Sequence, residues 1–206
     1  MLYKKATDSW GGIGVTYFTN KESVEKLEQI ISSIPCDLVI QKSIKQCSTL
    51  SLLNPDSVNT IRCMSLLGKD GAVKIYSSIL RMGIEGAKVD NASSGGISTG
   101  IMLDGRLKSV AYSNDGVRYY CHPTSNIKFE GIMIPNFNKV RDMVTRLHPK
   151  FPHFRLISWD IAIDENEEPI LIEANLCDGE LDFHQLNNGP IFGNDTEMIL
   201  SEVFSK

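Results

Sequence analysis

The chain has 206 residues, 42% of them hydrophobic and 22% charged, with a formal net charge of −4. That composition excludes a disordered, collagen-like or disulfide-scaffold protein, and a chain this long buries roughly 70% of its unfolded-state surface without a metal or disulfide staple. The mild acidity leaves no global basic footprint for nucleic acid or an anionic membrane. No apolar run approaches the ~20 residues that span a bilayer, and the opening MLYKKATDSW lacks the apolar core of a signal peptide. The five cysteines (Cys36, Cys47, Cys63, Cys121 and Cys177) are scattered and contain no CxxC pair. They read as free thiols in a reducing cytoplasm rather than as a zinc site.

In chain order, residues 2–6 and 14–19 read as short strands around the loop Thr7-Asp8-Ser9-Trp10-Gly11-Gly12. An amphipathic helix follows over about 21–33, with Val24, Leu27, Ile30 and Ile31 at helical spacing and Asn20 as its N-cap. Asp37 to Ile44 is a strand. Residues 58–68 and 72–82 flank Lys69-Asp70-Gly71, and residues 97–103 and 106–113 flank Asp104-Gly105, so both Asp-Gly pairs predict hairpin turns. Asn136 to Leu147 is a second helix, and a short one occupies 195–204. Segregated helices and antiparallel hairpins point to α+β rather than an alternating parallel sheet. No linker clearly divides the chain into domains.

The segment from Ser158 to Asn175, SWDIAIDENEEPILIEAN, carries the most chemistry. Side chains alternate along a strand, so Trp159, Ile161 and Ile163 share one face, and Ile170, Ile172 and Ala174 form the matching apolar face of the return strand. The simplest register makes Glu165 to Glu168 a four-residue loop with Asp164 opposite Pro169. Asp160 then faces Glu173, and Asn175 lies two residues on, along the same face. Two carboxylates in that position repel. A divalent cation removes the penalty, and an all-oxygen Asp/Glu/Asn set suits Mg²⁺ better than zinc. A solvated outer face, where the repulsion is screened, is the alternative on alternation alone.

Lys5 precedes a polar loop with Gly11, Gly12 and Gly14, which would let backbone N–H groups approach an anion. The segment joins two strands, so a plain hairpin loop is the competing reading. The four histidines, His122, His148, His153 and His184, have no metal spacing among themselves, and His122-Pro123 reads as a turn. Cys177 has no basic neighbour or helix start to activate it and reads as packing or loop. Arg62 and Arg81 lie on predicted strands, where they could be surface charges. Lys139, Arg141 and Arg146 form an ordinary solvated helix face.

Taken together and in this order, these segments resemble the ATP-grasp superfamily, and most of all its sugar-transfer-associated branch. Lys5-Ala-Thr-Asp-Ser-Trp-Gly-Gly-Ile-Gly14-Val15 resembles the family's K-P…G-x-G-V phosphate loop, with Ala6 where proline is usual. DLVIQKSIKQ resembles the hinge strand, whose backbone meets adenine near Val39 and Ile40, with Gln41 next. SVNTIRC, with Arg62, resembles the strand that follows. KVDNASSGGISTGI resembles the branch's D-N-x-x-x-G-G segment, while Tyr120-Cys-His122-Pro and SWDIAIDENEEPILIEAN resemble its H-P and W-D…E-x-N motifs.

The resemblance implies an α+β ATP-grasp fold, with a small lobe of about residues 1–40 holding the glycine loop and a larger sheet lobe of about 41–206. It implies ATP and Mg²⁺ as cofactors. Asp160, Glu173 and Asn175 would be metal ligands, Lys5 a phosphate ligand, and Asn91, Arg62 and Arg81 would lie near the reacting phosphates. The activity implied is a cytoplasmic carboxylate–amine ligase that passes through an acyl phosphate, associated with bacterial surface polysaccharides. A nucleotide-binding module inactive alone and an ATP-grasp phosphotransferase are the alternatives. Relatives carry a domain before the grasp, with another ATP-binding lysine, whereas this sequence starts almost at the glycine loop. A homodimer or a partner chain is therefore expected to supply the acceptor side. In relatives such as D-alanine–D-alanine ligase an arginine stands two residues before the first metal aspartate, and here that place is Ser158.

Overall fold

The computed structural model describes residues 2–5, 15–17, 24–33, 38–84, 95–177 and 179–204. They fall into two units, Met1–Lys45 and Gln46–Lys206. In the first, strand β1 (Leu2–Lys5) lies between β2 (Val15–Tyr17) and β3 (Leu38–Gln41), antiparallel to both. Helix α1 (Val24–Ser33) falls within the predicted helix. Its least exposed side chains, Leu27 and Ile30, are three residues apart on one face, as helical spacing requires. The predicted cap, Asn20, lies outside the described residues.

The second unit is built on a seven-stranded antiparallel sheet in the order β10-β9-β4-β5-β6-β7-β8. Its elements are α2 (Ser48–Leu53), β4 (Thr60–Leu67), β5 (Val73–Met82), β6 (Ile97–Ile101), β7 (Leu107–Ser113), β8 (Arg118–Tyr119), α3 (Phe137–Leu147), β9 (Leu156–Ile163), β10 (Pro169–Asn175), α4 (Leu181–Asn188) and α5 (Thr196–Phe204). The architecture is α+β, as the sequence predicts. Both Asp-Gly pairs make hairpin turns, with Gly71 at φ +81° and Gly105 at φ +91°, conformations that glycine adopts without a Cβ clash.

Alternation gives the sheet two different faces. Ile61 and Cys63 of β4, Leu80 and Met82 of β5, and Trp159, Ile161 and Ile163 of β9 form the apolar core with Phe137, Val140 and Val144 of α3. The last three recur at 3- and 4-residue spacing, so α3 lays one stripe on the sheet. Each such side chain contributes roughly 1.5–3 kcal/mol by leaving water. Trp159 is wholly buried, and its indole N–H donates to Ser65 Oγ at 2.8 Å, so the core holds its one indole donor satisfied.

The opposite face carries Arg62, Arg81, Ser98, Ser158 and Asp160, and α4 lies against it. His184 Nδ1 is 2.7 Å from Ser77 Oγ, and Asn187 Nδ2 donates to Ser98 Oγ at 2.8 Å. Helix α4 was not legible in advance: its apolar periodicity is weak, and it is entered through Glu180 in the left-handed region with no side-chain cap. Short α2 and two-residue β8 were likewise absent from the sequence reading.

The hairpin of β9 and β10 differs from its predicted register in one respect. Asp164 N donates to the carbonyl of Glu168, so the loop has three residues, and Pro169 pairs with Ile163. Asp164 shapes this turn by accepting from the backbone N–H groups of Asn166 and Glu168, at 2.9 and 2.8 Å, while Glu167 takes φ +62°. A three-residue loop ending in a left-handed residue is a favoured hairpin connection. A bulge between Leu171 and Glu173 then restores the expected pairing, and Glu173 stands opposite Asp160. The bulge breaks strict alternation, and Ile170, Leu171 and Ile172 are all more than a third exposed.

Candidate functional site

The site is built across β5, β4, β9 and β10. Asp160 pairs in register with Arg62 on one side and Glu173 on the other, and Thr60, two residues before Arg62, pairs with Arg81. The sheet order thus gathers three charged residues predicted separately, one of them from a strand nearly a hundred positions away in sequence. Arg62, Arg81 and Asp160 are only 5%, 8% and 4% exposed, so the two arginines are not surface charges.

Arg62 Nε donates to Asp160 Oδ1 at 2.8 Å and its Nη2 to Oδ2 at 2.7 Å, a bidentate fork. Its Nη1 donates to Glu180, just before α4, and Arg81 Nη1 lies 3.4 Å from Asp160 Oδ2. Burial alone would raise the Asp160 carboxyl. The Arg62 hydrogen bonds, the Arg62 and Arg81 charges and a bond from Asn175 outweigh it and hold the group below the usual carboxylate range. Burial also works against the Arg62 charge, yet Asp160 and Glu180 raise its pKa, so the guanidinium stays ionised. His184 is pulled down to about 3, by burial first and the Arg62 charge second, so its imidazole is neutral.

Asn175 Nδ2 donates to the carbonyl of Ser158 at 3.2 Å, a bond in which its Oδ1 takes no part. Glu173 is half-buried on β10, the edge strand. Asp160 and Glu173, paired across adjacent strands, and Asn175, two positions on, therefore present oxygen donors, the donor chemistry a hard divalent cation takes. An ionised carboxylate offers about four lone-pair positions; the Arg62 fork takes one on each Asp160 oxygen, and Arg81 and Asn175 also donate to the group, so a cation here would displace the 3.4 Å Arg81 contact or the Asn175 bond.

The other predicted residues are distributed as follows. Val39, Ile40 and Gln41 lie on β3, an edge strand of the three-stranded sheet, with Val39 and Ile40 about half exposed. Lys5 ends β1, opposite Leu38. Gly11, Gly12, Gly14 and Asn91 lie outside the described residues. His122 is buried in a turn with Nε2 2.9 Å from the carbonyl of Gly83, and Cys177 is an exposed free thiol in a bend. Glu180 and His184 were missed as members of the site. No local signal marks them, because the packing of α4 on the sheet brings them to Arg62. Among the described residues no helix is long and apolar enough to cross a membrane.

A family model described as sugar-transfer associated ATP-grasp matches residues 13–199, most of the chain. No curated protein matches it. The chain belongs to the sugar-transfer associated ATP-grasp family, and with that to the ATP-binding, ligase-like proteins.

Proposed function

We propose that the protein is an ATP- and Mg²⁺-dependent ligase that transfers the γ-phosphoryl group to a substrate carboxylate, giving an acyl phosphate that an amine attacks. The observation that carries this reading is the pairing of Asp160 with Glu173, with Asn175 two positions on, beside two buried arginines in a chain of this family. Asp160, Glu173 and Asn175 would hold Mg²⁺, which when bound neutralises phosphate charge. Arg62 serves by fixing the Asp160 carboxylate in orientation and keeping it ionised. Arg81 and Asn91 supply positive charge and a hydrogen-bond donor to the transferred group, the electrostatic help such a transfer needs. Lys5 and the loop of Gly11, Gly12 and Gly14 hold the phosphates, and the β3 backbone at Val39–Gln41 takes the adenine. Surface-polysaccharide synthesis as the setting rests on analogy with the family, whose description names sugar transfer alone.

Calorimetric titration with Mg·ATP tests the binding half. Wild type should bind, Glu173→Gln should lose at least tenfold with its circular dichroism unchanged, and Lys5→Ala should lose about tenfold to a hundredfold. Affinity within twofold of wild type in a folded Glu173→Gln protein would remove the metal assignment. The chemical half is read by trapping with hydroxylamine over a panel of carboxylic acids. ADP release with hydroxamate formation supports an acyl phosphate, whereas a stable phosphorylated hydroxyl product would make the protein a phosphotransferase.

A further inference from the structure

A second cleft, of about 540 Å³, opens within the sheet unit where β6 parts from β5. Among the described residues β6 pairs with β5 along Ile79–Met82, while Val73–Ser78 pair with β4. The space left beside this stretch of β5 is walled by Ile75, Ile101 and Phe137 and by Lys108, Arg141 and Asn188. Its volume lies in the range of small-molecule sites, and an apolar lining with a few convergent polar groups is their usual character.

Two cationic side chains, Lys108 and Arg141, line the cleft. Lys108 is half-buried, and burial lowers its pKa with no carboxylate partner to offset it. Its Nζ donates to the carbonyl of Asn187 at 3.0 Å, which satisfies one of three ammonium donors. Arg141, exposed on α3, makes no ion pair among the described residues. The acidic residue on the rim, Asp104, already accepts from Arg106 Nε at 2.6 Å. Among the described residues neither cation has an ion-pair partner, and Lys108 has been drawn partly out of water, an arrangement that costs free energy until an anion arrives.

The cleft is also shaped for this. A Cβ on Gly100 would come within 2.3 Å of Asn188 Oδ1 and 2.8 Å of Lys108 Cδ, so a side chain here would displace both from their present positions. Its absence of a side chain is what lets Lys108 and Asn188 cross β6. Asn188 is fixed in turn, donating through Nδ2 to Ser77 Oγ at 2.8 Å and to the carbonyl of Ser78 at 3.0 Å.

We infer that this cleft is a binding site for a small organic anion, a carboxylate or phosphate ester on an apolar or ring body, whose head group is held by Lys108 and Arg141. The site lies at the C-terminal end of α4, away from the Asp160 carboxylate itself, and does not depend on the ligase reading. Ser77 joins the two, since its hydroxyl meets both Asn188 at the cleft and His184 beneath α4.

Phenyl phosphate and benzoate are suitable probes, with benzyl alcohol as the neutral control and inorganic phosphate as the bodiless one. Titration is followed by the methyl resonances of Ile75 and Ile101. Saturable shifts are expected with at least one of the two organic anions, and which of them binds tighter identifies the head group. Arg141→Gln, on an exposed helix face, and Lys108→Gln should each weaken binding about tenfold. The inference is overturned if neither anion saturates at millimolar concentration, if benzyl alcohol or inorganic phosphate binds as tightly, or if folded Arg141→Gln binds as wild type does.

Discussion

Arg62 spends donors on two carboxylates, and this division of labour decides which substitutions in the site are structural. Its fork on Asp160 is buried, so removing the carboxylate leaves two guanidinium groups in a dry place with less counter-charge. Breaking a buried pair in that way typically costs ~3–5 kcal/mol, more than the pair itself contributes over an apolar replacement. Asp160→Asn is therefore expected to lower the urea midpoint strongly and to show poor expression. Glu173→Gln sits half-exposed on the edge strand and should change stability by less than ~1 kcal/mol in either direction. The sequence alone suggested that relieving repulsion between these two carboxylates would stabilise the fold. Because Arg62 and Arg81 already compensate Asp160, that gain should be close to nothing. A Glu173→Gln midpoint well above that of wild type would show that Arg62 does not screen the pair.

At the scale of elements, local chemistry was readable and long-range pairing was not. The Asp-Gly turns announce their hairpins because the left-handed conformation favours glycine whatever surrounds it, and α3 announces itself through Phe137, Val140 and Val144. The pairing of Asp160 with Glu173 was read correctly for an incomplete reason. The loop is one residue shorter than assumed, and the bulge after Leu171 cancels the slip. Neither the Arg62–Asp160 fork nor α4 could be read, because the first is fixed by β9 lying beside β4 and the second by packing on that polar face. The two turn glycines make a test of how local the hairpins are. A Cβ at Gly71 meets nothing within 4 Å, so Gly71→Ala should cost only the backbone strain, roughly 1–2 kcal/mol. A Cβ at Gly105 would lie 2.9 Å from Phe137 Cβ, an atom that cannot swing aside without moving α3. Gly105→Ala should therefore lose more in urea unfolding than Gly71→Ala. Equal losses would mean that α3 yields at no cost, and that the second hairpin is as independent of the core as the first.

For the whole molecule, the buried histidines set how stability depends on pH. His184 has its pKa lowered to about 3, and burial also lowers His122 and His148. Each is neutral in the folded protein and free to protonate near pH 6.5 when unfolded. Below that pH the unfolded chain binds protons that the folded chain refuses, so stability falls as pH falls. A single fully displaced histidine sets a slope of ~1.4 kcal/mol per pH unit, and for His184 the window runs from the unfolded value down to about 3. Asp160 adds to the loss at the acid end. Its native pKa lies below the ordinary carboxylate value, so its contribution is present above that value and disappears as pH falls through the native one. Urea midpoints taken between neutrality and pH ~5.5 should therefore decline steadily, before most carboxylates protonate. His184→Gln should begin somewhat less stable at neutral pH, having lost its contact with Ser77, usually worth ~1 kcal/mol. Its decline with acid should be shallower, because one of the three proton-refusing sites is gone. Parallel curves for the variant and wild type would show that His184 accepts a proton in the folded state, and that α4 opens or Arg62 turns away when it does.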